Sequence, residues 1–329
     1  MAATAGGAQQ PKFEKPRSQW GKARERLAWI LVLPSLLIIF GVAFWPLVNS
    51  FYISFTNTSM TKPEQPLLGW IWHSISTFSL DAPNRWVGLN NYRKIFADDV
   101  FIQAIRTTVL FTVVSVFFET LFGTIIALTI NSSFRGRGLV RTSMLIPWAI
   151  PTIVSAQMWA WMYNDVYGVF NDLLVKRLGI LNEPIAWIGP AYDNAIWSII
   201  AIDIWKTTPF MTLLILAGLQ VIPGDVYEAS TVDGASKWQQ FWQITLPLVK
   251  PALVVALIFR TLDAFRVFDV IQVTMAYATR TMSVAVYAQQ QFSQNRGGFG
   301  MTAATSVFIL VVIMALVVVY TKLIKAEEM

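Results

Sequence analysis

Residues 27–48 read LAWILVLPSLLIIFGVAFWPLV, a run of 22 side chains without a charge. About 20 such residues on a helix cross a hydrocarbon core about 30 Å thick. The run is too long for a signal-peptide core and no small-residue cleavage site follows it, so it reads as a retained first helix over 27–55. Working outward, apolar stretches recur at about 101–131, 139–163, 195–221, 248–272 and 301–324. The expectation is an all-α, polytopic membrane protein with six transmembrane helices and both termini on one side.

Composition agrees. The 329 residues are 55% hydrophobic and only 13% charged, against about 25% charged in an average soluble domain. Mean hydropathy is +0.53. This excludes a disordered chain and argues against an ordinary cytosolic enzyme. The absence of cysteine removes disulfides, thiolate metal sites and cysteine nucleophiles, and the single histidine, His73, cannot build a histidine metal site alone. The chain is therefore expected to perform no covalent chemistry and to hold no metal.

The net charge of +6 is placed by topology. The 1–26 tail, the 132–141 turn, the 222–250 segment and the residues after the sixth span together hold 13 bases and seven acids. The opposite loops hold eight of each sign and the spans four of each, so the whole surplus lies on one face. The positive-inside rule makes that face cytoplasmic, with the 1–26 and 326–329 tails on it. Nucleic acid is not an expected partner; membrane lipid is. The extracytoplasmic loop at 56–100 carries Trp70, Trp72, His73 and Phe78. It reads as an interfacial aromatic belt or a small cap.

The 222–250 segment is unlike a tight membrane turn. Pro223-Gly224-Asp225 starts a short helix, Gly234 supplies a corner, and Ser236 with Gln239 forms a capping-box pattern that opens a second helix. On that helix Trp238, Phe241, Trp242 and Thr245 share one face, and Pro247 is expected to end it. An apolar stripe outside the bilayer calls for a protein groove.

Glu228-Ala229-Ser230, Asp233-Gly234-Ala235, Ile244 and Leu246-Pro247 resemble, in type and spacing, the EAA loop of ABC importer permeases. Ser230 departs from the pattern, standing where a second alanine is usual. Gly88-Leu89-Asn90-Asn91-Tyr92, Arg135-Gly136 and the stretch from Gly298 to Ser306 also resemble family features, so the likeness covers about 27–325. It is nearest to the maltose and glycerol-phosphate type of sugar permease. The resemblance implies a permease core over 101–325, with Glu228, Ala229, Asp233, Gly234, Ala235, Leu246 and Pro247 coupling it to a partner ATPase. It also implies a second homologous permease, two ATPase subunits or a homodimer of one, and an extracytoplasmic sugar-binding protein. The sequence has no G-x-x-x-x-G-K-[ST] loop, so ATP and magnesium belong to the partner ATPase.

Eight ionisable residues fall inside the spans: Arg106, Glu119, Asp203, Lys206, Arg260, Asp263, Arg266 and Asp269. Each costs about 2.5–3.5 kcal/mol at mid-helix unless compensated. Arg260, Asp263, Arg266 and Asp269 alternate sign at every third position, as do Asp203 and Lys206, so each set is expected to form a self-neutralising ladder on one helix. These charges read either as locks between spans or as the lining of a path. The candidates for a sugar path are Asp203, Trp205, Lys206, Thr207, Thr208, Phe210, Arg260, Asp263, Phe265, Arg266 and Gln157, which mix hydrogen-bonding groups with flat apolar faces. The WKTTPFM and FRTLDAFRVF stretches resemble those of trehalose- and maltose-type permeases, which points to a disaccharide; glycerol phosphate is the alternative substrate. The rival class is an ion-coupled secondary transporter with Glu119, Asp203 or Asp263 as the carrier. A non-transporting scaffold leaves the paired charges unexplained.

Overall fold

A computed structural model of the chain describes residues 19–58, 86–189, 194–294 and 298–327. Trp70, Trp72, His73 and Phe78, together with Lys12, Lys15 and Arg17 of the tail, lie outside the described residues. By compactness the chain divides into two units, Met1–Asn49 and Ser50–Met329. The first helix runs through α1 (Gln19–Ile39), a π-helical turn (Phe40–Phe44) and α2 (Trp45–Ile53). Its Arg24–Ile53 stretch is long and apolar enough to span a membrane.

The second unit continues with α3 (Asn90–Phe96), α4 (Asp99–Asn131), α5 (Arg137–Ser143), α6 (Ile146–Ala149) and α7 (Thr152–Met162). After α8 (Val169–Asn171) come α9 (Ala195–Leu219), α10 (Gly224–Val232), α11 (Lys237–Gln240), α12 (Leu246–Phe265), α13 (Asp269–Met275), α14 (Val284–Ser293) and α15 (Gly298–Glu327). The core forms where α4 lies along α9, with α12 packed against both and α14 against α15. Phe101, Phe111, Ile199, Ile202, Ile271 and Tyr287 are fully buried there. Small residues set the spacing: a Cβ on Gly218 would sit 2.3 Å from the Cβ of Ala252, so α9 and α12 touch at backbone distance. Along α4 the hydroxyls of Thr108, Ser115, Thr120, Thr124 and Thr129 each donate to the carbonyl four residues back, so these five donors are satisfied within the helix.

Two expected spans differ from straight helices. The third is a bent pair, Arg137–Ala149 and Thr152–Met162, turned by 90°. Pro151 is the cause: it has no N–H to donate, and it pushes Ile150 into extended backbone with φ −71° and ψ 134°. The fifth is longer than 248–272: its apolar helical stretch runs Lys237–Met275. Pro247 does not end the preceding helix but sits in the first turn of α12, directly after a π-helical turn at Phe241–Thr245, so Lys237–Phe265 is one bent path. It stops at Phe265, and the turn that follows, in which Val267 is buried, is held by Ser283, whose hydroxyl donates to Val267 O at 2.6 Å and accepts from the Val286 N–H.

The Gly88–Tyr92 segment ties the start of the second unit together. The Asn91 amide donates to Ser54 O at 2.8 Å and Thr56 O at 2.7 Å, and Tyr92 OH meets Ser54 Oγ at 2.8 Å. Gly300, in the first turn of α15, backs this knot so closely that a Cβ would lie 2.2 Å from Thr56 O and 2.8 Å from Asn91 Nδ2. Gly300→Ala is therefore expected to displace the 54–56 backbone and to destabilise the protein by about 1–3 kcal/mol. The thermal midpoint of the detergent-purified protein checks this, and an unchanged midpoint would contradict it.

Candidate functional site

Four elements meet around a cavity of 420 Å³. Its wall is built from Phe111 of α4, the broken-span residues 148–152, Asp203, Lys206 and Thr207 of α9, and the end of α12 with the turn after it. The break at Pro151 thus does two things: it bends the span, and it brings unpaired carbonyls to the cavity edge.

Lys206 answers those carbonyls. Its ammonium donates to Ile150 O at 2.6 Å and to Trp148 O at 3.4 Å. The Asp203–Lys206 ladder expected from spacing is not formed; the lysine closes the broken helix end instead. Lys206→Met is expected to leave Ile150 O without its donor and to lower stability by about 1–3 kcal/mol. Chemical unfolding of the purified protein tests it, and a stability equal to wild type would refute the closing role.

Arg260 is the hub of the site. Its side chain is 2% exposed and donates to three carboxylates from three helices: Glu119 of α4 through Nε and Nη2, Asp203 of α9 through Nη2, and Asp263 of its own helix through Nη1 at 3.1 Å. Glu119 is fully buried, and the Thr207 hydroxyl lies 2.6 Å from its Oε1. A guanidinium suits this position because its fixed fork of donors serves several oxygens at once. Of the expected four-residue ladder only the Arg260–Asp263 rung exists. The helix ends at Phe265, which carries Arg266 and Asp269 off the helical register; Arg266 Nε donates to Leu262 O at 3.3 Å.

Of the path candidates, Asp203, Lys206, Thr207, Arg260, Asp263 and Arg266 line the cavity. The others do not. Trp205 meets Trp159 edge-on at 5.3 Å, inside an aromatic cluster with Tyr163, Phe170 and Trp187. Phe210 stacks on Trp148 at 5.9 Å and so supports the wall from behind. Thr208 donates to Ile204 O, Phe265 is buried, and Gln157 is exposed on α7. Glu119 and the 148–152 break were missing from the expected path. The signals for them were an acid amid apolar residues and the Pro147/Pro151 pair. Three lining acids (Asp203, Asp263, Asp269) face three lining bases (Lys206, Arg260, Arg266), with Glu119 behind them.

The second surface is the α10–α11 pair. Gly234 adopts φ +81°, a left-handed conformation that favours glycine, and makes the corner. Ser236 caps α11: its N–H donates to Gln239 Oε1 at 2.8 Å and its hydroxyl oxygen accepts from the Gln239 N–H. The two helices are stapled from inside by Gln240, 3% exposed, whose amide donates to Ser230 Oγ at 3.0 Å and Thr231 Oγ1 at 2.9 Å. Ser230 is therefore more than a small residue in an alanine position: its hydroxyl is one of the two acceptors for that amide. On the outside Glu228, Ala229, Asp233 and Gly234 are exposed and Ala235 half-buried; farther along, Leu246 is half-buried and Pro247 exposed. Val232 is 87% exposed and Trp238 71%, and Trp238, Phe241 and Trp242 form a mutual aromatic cluster. Val232, Trp238 and Trp242 thus gather exposed apolar surface along this stretch.

Among the described residues, five long apolar helices and a bent pair, a cavity lined by as many acids as bases and an exposed helix–corner–helix describe a polytopic membrane permease. A family model described as binding-protein-dependent transport system inner membrane component matches residues 119–326, and the chain belongs to that family. It is 40% identical over 304 residues to the trehalose/maltose transport system permease protein MalF of Thermococcus litoralis, covering 92% of this chain and 95% of that one. It is 33% identical over 303 residues to the trehalose transport system permease protein SugA of Mycobacterium tuberculosis, covering 92% and 89%. Among solved structures, a chain of a bacterial alginate ABC transporter in complex with an alginate pentasaccharide-bound periplasmic protein shares the fold. The TM-score is 0.74 at 21% identity, over 92% of this chain and 96% of that one. The protein is thus an integral inner-membrane component of a binding-protein-dependent transport system.

Proposed function

We propose that the chain forms half of the translocation path of an ATP-driven importer for a neutral di- or oligosaccharide of the trehalose or maltose kind. The observation that carries this is the charge balance of the cavity: three lining acids against three lining bases, with Arg260 already engaged by Glu119, Asp203 and Asp263. The lining has no surplus of base and Glu119 adds a further acid behind it, which argues against a phosphorylated substrate such as glycerol phosphate. A neutral sugar needs donors and acceptors, and Asp263, Arg266 and Thr207 offer them. The names of the relatives support a disaccharide.

In this reading the uncovered α10–α11 surface seats in a cleft of a cytoplasmic ATPase, Glu228 is its charged contact, and a second permease completes the path. ATP and magnesium are bound by the ATPase alone. Both termini are cytoplasmic, on the side of the basic surplus. A loaded binding protein docks outside, ATP closes the ATPase pair, the coupling helices move together and the cavity opens outward. Hydrolysis resets it inward. An ion-coupled carrier fits less well, because Glu119 and Asp203 are both bound to Arg260.

The test is affinity purification of the complex from its native membrane, followed by reconstitution with its binding protein. Trehalose or maltose is expected to stimulate ATP hydrolysis and glycerol phosphate is not. A chain that moves solute on a proton gradient without ATP would overturn the proposal.

A further inference from the structure

A second pocket, of 330 Å³, lies between the start of the broken third span and the end of α9. It is lined by Arg141, Thr142, Leu145, Leu213, Leu216, Ala217 and Gln220. Nε and Nη2 of Arg141 are buried at this pocket, and neither has a hydrogen-bond partner among the described residues; the same holds for Nε of Arg137, one turn earlier and outside the lining. Buried guanidinium donors without an acceptor are costly, so the site favours an acceptor from outside the chain. No acid occurs anywhere in 132–151, while Arg135, Arg137 and Arg141 place three bases within seven residues. The pocket reaches Gln220, next to Leu219, where α9 ends before the α10–α11 surface.

We infer that this pocket holds the phosphodiester of an anionic glycerophospholipid, with Arg141 forking onto the phosphate and an acyl chain against Leu145, Leu213 and Ala217. The shape fits both halves of such a molecule: donors at one end, apolar wall at the other. Basic pockets between membrane helices on the cytoplasmic side recognise lipid headgroups in this way. The leaflet follows from the orientation proposed above; the site itself does not depend on the transported solute.

Native mass spectrometry of the intact transporter tests it. The complex is purified in mild detergent and titrated with phosphatidylglycerol or phosphatidylcholine, as wild type, Arg141→Gln and Ala217→Phe. The second variant keeps the arginine and fills the pocket. Wild type is expected to retain one more phosphatidylglycerol than either variant, with occupancy falling by about fivefold or more when the fork is lost. Phosphatidylcholine retention is expected to be equal in all three. Equal phosphatidylglycerol retention overturns the inference. So does displacement by millimolar inorganic phosphate, which would make this a free-anion site, or closure of Arg141 by a carboxylate of a partner subunit in the assembled complex. The measurement uses neither sugar nor ATP, so it stands apart from the transport reading.

Discussion

Arg260→Met is expected to lower the thermal midpoint of the purified protein by on the order of 10 °C and to abolish uptake. The arginine is the shared partner of Glu119 and Asp203, and both are buried. Removing it leaves two buried carboxylates without their shared cation, with the Thr207 hydroxyl near Glu119 and with Ser115 and Lys206 near Asp203. Breaking a buried ion pair from one side costs about 3–5 kcal/mol, whereas removing a whole network costs far less. The combined Arg260→Met, Glu119→Gln, Asp203→Asn protein is therefore expected to regain most of the lost stability. Differential scanning fluorimetry in detergent separates the two cases. A single variant as stable as wild type would show that the three groups do not depend on one another.

Gly234→Trp is expected to reduce ATP-driven uptake by more than about tenfold, while Gly234→Asn stays near wild type. A Cβ at this position meets nothing within 4 Å. Both variants bear only the left-handed strain at φ +81°, which asparagine tolerates better and which amounts to about 1–2 kcal/mol for other residues. The chain places no atom near that Cβ, so loss of function would report on what covers the corner from outside. Membrane abundance should be unchanged for both, and the ATPase should no longer co-purify with the tryptophan variant. Normal uptake by Gly234→Trp and by Glu228→Ala together would remove the docking role from this surface.

The spans and the α10–α11 corner were legible because their signals are local. Hydropathy reports a long buried or lipid-facing run wherever it occurs, and the Ser236/Gln239 box needs only neighbours along the chain. The charge network was legible in membership but not in wiring. Spacing put Asp203 beside Lys206, yet Lys206 turned to the Ile150 carbonyl once Pro151 had freed it, and Arg260 took Asp203. Pairing across helices is set by tertiary position, which a one-helix periodicity argument does not contain. The same holds for Ser230: its likeness to alanine was visible, but its acceptor role depends on Gln240, ten residues on and around a corner.

The wiring of Arg260 also sets a timetable for biosynthesis. Glu119 precedes its arginine by 141 residues and Asp203 precedes it by 57. At about 5–20 residues per second, Glu119 is made about 7–30 s before the guanidinium exists. Thr207, 88 residues after Glu119, is the first of its observed partners to leave the ribosome. A nascent chain arrested before the fifth span would carry two orphan carboxylates, so the second and fourth spans depend on the fifth to settle in the bilayer. The charged cluster at the cavity is then also the point at which the second, fourth and fifth spans are joined, before the sixth is made.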